Sequence, residues 1–141
     1  AMGDAKAMGY SPFAAHTGLE LERWGDGEAT VSLPWHHEMT NLNGTAHGGA
    51  MFTLADVAMG LAALSRCPEG YTSFTRDAQI NYVRRAESGP LLCTATVVEQ
   101  TAHGVTLTAN VVSDGHTVCE VTGSCVYKKT SAEVSERMLA K

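Results

Sequence analysis

From Gly48 to Leu64 the chain reads GGAMFTLADVAMGLAAL, apolar at nearly every position, with Asp56 its only charge and Thr53 its only other polar side chain. Alanine, leucine and methionine favour helix, and at 1.5 Å per residue the segment spans about 26 Å. Its glycines, its aspartate and its marginal length argue against a membrane span. A helix apolar on almost every side belongs inside a protein, wrapped by other elements and with no polar face for water.

Elsewhere the period is two. Ser11-Pro12 predicts a short helix or turn over 11–16, a cap followed by a first-turn proline. Leu19, Leu21 and Trp24 among Glu20, Glu22 and Arg23 predict a strand, Gly25-Asp26-Gly27 a turn, and 29–33 a returning strand ended by Pro34. After Gly70, Phe74, Arg76, Ala78, Ile80 and Tyr82 fall on one strand face, with Thr75, Asp77, Gln79, Asn81 and Val83 on the other. Further strands are expected over 91–99, 105–111 and 118–127, the last two joined by a type I′ turn at Asp114-Gly115. The expected order is two strands, one long buried helix, then four strands in meander. That is an α+β fold, a curved antiparallel sheet wrapped around one central helix. One domain covers 11–130, residues 1–10 read as a flexible lead or expression remnant, and 131–141 as a tail with room for a short helix.

Composition narrows the function classes. Lys and Arg number 10 against 15 Asp and Glu, a net charge of −5, which disfavours a nucleic-acid binder. No stretch reads as a secretory signal. Cys67, Cys93, Cys119 and Cys125 form no Cys-x-x-Cys pair and read as reduced, mostly buried thiols, so the expected setting is cytoplasmic. The adjacent His36 and His37 lack metal-ligand spacing, and no metal site is expected. Nucleophile-elbow, dinucleotide and P-loop patterns are absent from the sequence.

The segment with candidate chemistry is Asn41-Leu42-Asn43-Gly44-Thr45-Ala46-His47-Gly48-Gly49, which leads straight into the helix. Glycines form helix poorly, and a pair at a helix start suits either a tight turn or the close approach of a ligand to the backbone. The first N–H groups of a helix lack intrahelical acceptors and sit at its positive end, the ingredients of an oxyanion hole. Asp56 is costly in apolar surroundings unless it is paired or functional. It lies nine positions after His47, half a turn around the axis and about 13 Å along it. If both belong to one site, the aspartate comes from a second copy, its helix antiparallel across a two-fold axis, and the protein is a dimer with two shared sites.

NLNGTAHGGAMFTLAD resembles the signature of hotdog-fold acyl-CoA thioesterases, in the PaaI-like and 4-hydroxybenzoyl-CoA thioesterase group, and TRDAQINYVRRA resembles the strand that follows the helix in that group. The resemblance implies a hotdog fold, a homodimer joined into one continuous sheet, often a dimer of dimers (a homotetramer), and an aryl- or medium-chain acyl-CoA as substrate. Coenzyme A would be part of the substrate, with no separate cofactor. By the same resemblance Asn41 and the Gly48 N–H polarise the thioester carbonyl and His47 orients their loop. Asp56 of the partner activates water or attacks the thioester, and Thr75 helps place the water. Gly49 and Thr53 lie near the acyl group, and His103-Gly104 lies near the nucleotide. Arg84, Arg85, Lys128 and Lys129 are candidates for the phosphates of coenzyme A. Two other classes fit a hotdog chain: an acyl-thioester hydratase or dehydratase, and a non-enzymatic acyl-CoA-binding module. The second would have no need of Asp56.

Overall fold

Ser11 caps a short helix, α1 (Pro12–His16), its Oγ accepting from the Ala14 N–H at 3.3 Å. Next come β1 (Glu20–Gly25) and β2 (Glu28–Leu33), a single 3-10 turn (His37–Met39) and the long helix α2 (Gly48–Leu64). Four strands follow: β3 (Tyr71–Tyr82), β4 (Leu91–Thr101), β5 (Gly104–Ser113) and β6 (His116–Lys129). The structure, a computed structural model, describes residues 11–130. The flexible lead or remnant expected over 1–10 and the tail with room for a short helix over 131–141 therefore lie outside the described residues.

All six strands form one antiparallel sheet in the order β1-β2-β4-β5-β6-β3. The expected curved sheet and central helix are both present: α2 packs against every strand. Asp114 and Gly115 both have positive φ, 50° and 75°, as a type I′ turn requires. Asp26 and Gly27 turn the β1–β2 hairpin in the same way, with φ of 51° and 82°.

The four-strand meander needs correction. Only β4, β5 and β6 follow one another across the sheet, while β3 pairs with β6 at the far edge. Tight turns join the three meander strands, whereas residues 83–90 between β3 and β4 are long enough to carry the chain back across the sheet.

The expectation that α2 has no polar face is also corrected. Met51, Leu54, Ala55, Ala58, Met59, Leu61, Ala62 and Ala63 are buried, but Phe52, Thr53, Asp56, Val57 and Gly60 are only half-buried and Gly49 is exposed. One sheet covers one side of a helix, and the residues at i, i+3, i+4 and i+7 from Gly49 form the stripe it leaves open. The far end of α2 is held firmly. Trp24 Nε1 donates to the Leu61 carbonyl at 2.6 Å and Tyr127 Oη to that of Ala63 at 2.8 Å, a second hydrogen bond on carbonyls that already accept from Ser65 and Arg66. Burial pushes the Tyr127 phenol up to about 12, so it remains a donor.

Candidate active site

His47 is the N-cap of α2. Its φ of −66° and ψ of 135° are extended, and its Nδ1 accepts the Gly49 N–H at 2.8 Å. An accepting Nδ1 leaves the proton of the neutral ring on Nε2. Ala50 and Met51 donate to the His47 carbonyl at 3.0 and 3.1 Å. Among the described residues the Gly48 N–H has no acceptor, as expected of a first helical position. The Gly48 carbonyl accepts from Tyr82 Oη at 2.9 Å. Burial raises the Tyr82 pKa, with the neighbouring Cys119 a smaller cause, and the phenol stays a donor. A Cβ on Gly48 would lie 3.3 Å from the Tyr82 ring, a tight contact that the ring must yield slightly to admit, so glycine suits this packing as well as close approach.

Asn41 organises the loop before the helix. Its Oδ1 accepts from the Asn43 and Thr45 N–H groups at 2.9 and 3.2 Å, and its Nδ2 donates to Thr45 Oγ1 at 2.9 Å. The carboxamide thus makes an Asx-type turn, with its polar atoms engaged inside the loop. The loop is tied to the body through the Ala46 N–H on the Ala86 carbonyl and the His47 N–H on that of Met39, both at 2.8 Å.

Two turns further along α2, Asp56 Oδ1 accepts from Thr75 Oγ1 at 2.9 Å. Strict alternation placed Thr75 and Ala78 on opposite faces of β3, and this is corrected by a bulge. The register shifts between Thr75 and Asp77, leaving Arg76 as the extra residue. A bulge reverses the in–out phase, so Thr75 and Ala78 both face the groove over the open stripe of α2, beside Gly49, Phe52, Thr53 and Asp56. Thr53 Oγ1 turns back onto the Gly49 carbonyl at 2.8 Å.

Gly49 and Asp56 therefore share one stripe. The half-turn offset reckoned from His47 does not describe the relation of Asp56 to the backbone at the helix entry. Their seven-residue separation still amounts to about 10 Å along the axis.

Cys125 pairs across the strands with Thr75. Burial is the main cause that raises its pKa, the nearby Ser73 and Thr75 hydroxyls oppose it, and the Asp56 and Asp77 charges add to it. Burial pushes Cys93 up to about 12 and Cys119 up to about 11. These three buried cysteines are held as thiols and are poor nucleophiles.

The other sequence candidates lie elsewhere within one chain. Arg84 and Arg85 line a groove with Glu87, Asp114 and His116, and Arg85 lies 3.9 Å from Glu87. His103 and Gly104 border a different cleft with Arg76 and Glu99. Lys128 and Lys129 end β6 in solvent. Tyr82, Phe52, Phe13 and Ala78 are not among the site residues expected from the sequence. Their link to the site depends on packing between elements, and only Phe52, at i+3 from Gly49 on α2, carried a sequence signal. Among the described residues no group of three or more His, Cys, Asp or Glu converges as a metal site, and no helix is long and apolar enough to cross a membrane.

Residues 43–120 match the family model described as the thioesterase superfamily. A conserved protein of Pseudomonas aeruginosa superposes with a TM-score of 0.80 at 33% identity, covering 84% of this chain and 94% of that one. The phenylacetic acid degradation protein PaaI of Thermus thermophilus, in a mutant form, gives 0.76 at 31% identity over 82% and 98% of the two chains. A Haemophilus influenzae thioesterase shares the fold at 0.84, with 19% identity and 92% of each chain covered. A Halobacterium salinarum protein provisionally named an esterase is 37% identical over 86 residues, 57% of this chain and 56% of that protein. The chain thus spans little more than half the length of the first curated relatives it matches.

Proposed function

The chain belongs to the thioesterase superfamily, and from that premise we propose that it hydrolyses an aryl- or medium-chain acyl-CoA to the free acid and coenzyme A. The observation that carries this reading is the pairing of two features on one helix: an unengaged Gly48 N–H at its positive end, and a carboxylate, Asp56, held by Thr75 on its open stripe.

The two features work together in a dimer. About a two-fold axis beside Phe52 and Thr53, antiparallel packing of the open stripes sets each Asp56 opposite the Gly49 end of the other helix. The free edge of β3, with Phe74 54% and Tyr71 44% exposed, supports continuation of the sheet into the second copy. In each shared site the thioester oxygen accepts from the Gly48 N–H at the entry of one helix. Asp56 from the other copy takes a proton from water while the water oxygen bonds to the carbonyl carbon. Negative charge gathers on the carbonyl oxygen, where the helix end stabilises it. Collapse breaks the C–S bond, and the proton passes to the departing thiolate. The Thr75 hydroxyl holds one oxygen of Asp56 and leaves the other free to act as base. His47 holds the loop that presents the Gly48 N–H, and Asn41, expected from the resemblance to polarise the carbonyl, here positions that loop instead, because its carboxamide is engaged within it. Because a thiolate leaves readily, this apparatus calls for neither metal nor cofactor.

The test is thiol release from a panel of aryl-, short-, medium- and long-chain CoA esters. Turnover of at least one class is expected. Folded protein that releases no thiol from any of them would overturn the reading. Thr75→Val should lower kcat about tenfold while Thr75→Ser retains it, because only the hydroxyl orients the carboxylate. Equal activity of both variants would remove Thr75 from the mechanism.

A further inference from the structure

Phe13 is the second residue of α1 and is 62% exposed, beside a buried Ala14 that anchors the helix in the core. The Thr17 N–H donates to the Phe13 carbonyl at 3.0 Å and the Ala15 N–H to that of Ser11 at 3.1 Å. The Phe13 backbone is therefore fixed while its ring is left largely uncovered. A single apolar ring in water is ordinary by itself; what sets this one apart is its place. The ring stands at the rim of the groove that holds Asp56 and Thr75, together with Phe52, Val57 and Ala78.

In one chain that groove is an open cleft of about 500 Å³, in the range of small-molecule sites, and in the proposed dimer the partner's open stripe faces it and narrows it. The hydroxyls of Thr53 and Thr75 are turned onto partners within the protein. Among the described residues Asp56 is its only titratable side chain, and no basic residue lines it. Two aromatic rings, a valine and an alanine thus face whatever lies next to the carboxylate. An acyl group bearing a second carboxylate would meet Asp56 with nothing to neutralise it; an uncharged apolar acyl group would cover the rings.

We propose that Phe13 is a specificity-determining residue that closes the outer end of the acyl groove over an uncharged apolar acyl group and so sets the acyl length accepted. The proposal rests on the thioesterase reading and adds to it a residue in α1, outside the signature around the long helix. It also separates size selection from chemistry. The wall lies on an independently anchored helix, and Asp56 and Thr75 keep their positions when the wall changes.

The experiment compares wild type with Phe13→Ala and Phe13→Trp. It measures kcat/KM and calorimetric affinity for benzoyl-, hexanoyl-, decanoyl- and succinyl-CoA, with thermal melting as the folding control. The wild type should discriminate against succinyl-CoA. Phe13→Ala should shift the decanoyl-to-hexanoyl ratio towards the longer chain by about tenfold, chiefly through KM, and Phe13→Trp should shift it the other way. Melting should hardly change, because the ring is mostly in solvent. Length ratios identical in all three proteins, by turnover and by binding, would overturn the role of Phe13. Absence of thiol release from every ester by the wild type would overturn the hydrolytic reading instead, and the calorimetric ratios would still decide the role of Phe13.

Discussion

Asp56→Asn should reduce kcat/KM for acyl-CoA hydrolysis about a thousandfold, on the order of 4 kcal/mol of transition-state stabilisation, with the fold and assembly intact. The variant keeps the shape of the side chain and an oxygen for Thr75 Oγ1, which lies 2.9 Å from Asp56 Oδ1. It removes only the ability to take a proton or attack as an anion. Asp56 is half-buried on the open stripe of α2, outside the packed face formed by Leu54, Ala55 and Ala58, so its loss should leave melting nearly unchanged. Rates within a few-fold of wild type would exclude Asp56 as base or nucleophile. A collapse in melting temperature parallel to the loss of activity would make its role structural.

The second large effect concerns a single backbone hydrogen. Proline is well tolerated at the first position of a helix, and His47 already has the extended φ and ψ that a following proline requires. Gly48→Pro therefore removes the Gly48 N–H while leaving the helix able to form. Loss of one oxyanion donor costs about 10²–10³ in kcat. Because a Cβ here approaches the Tyr82 ring at 3.3 Å, Gly48→Ala is the control: it adds the Cβ that proline also brings and keeps the donor. A large loss in Gly48→Pro with a small one in Gly48→Ala would assign the effect to the N–H. Equal losses would assign it to crowding against Tyr82 and remove the oxyanion role. Mixing Gly48→Pro with Asp56→Asn chains should restore partial activity, since one of the two shared sites in a heterodimer receives both intact groups. No recovery after verified subunit exchange would count against a site built from two copies.

Phe13, Phe52 and Tyr82 show what a one-dimensional reading misses. Tyr82 was visible as a strand residue, but nothing local indicated that its hydroxyl would reach the Gly48 carbonyl, 34 positions away. Phe13 sat in a recognisable capped turn, and its nearness to Asp56 depends on where the buried Ala14 docks. Arg84, Arg85, His103 and Gly104 were grouped as binding candidates by charge and by resemblance. They line two different clefts of a single chain, neither of which contains Asp56.

Features that depend on short-range chemistry are legible in the sequence: the boundaries of α2, the type I′ turn at Asp114-Gly115, the cap at Ser11 and the helix-start motif from Asn41 to Gly49. Composition, capping and turn stereochemistry act within a few residues, so the chain's local order encodes them directly. The bulge at Arg76 that turns Thr75 towards Asp56, the docking of β3 beside β6 and the open stripe along α2 became visible only in three dimensions. Each arises from competition between distant segments for one finite surface of sheet and helix, and no local pattern of residues records the outcome of that competition.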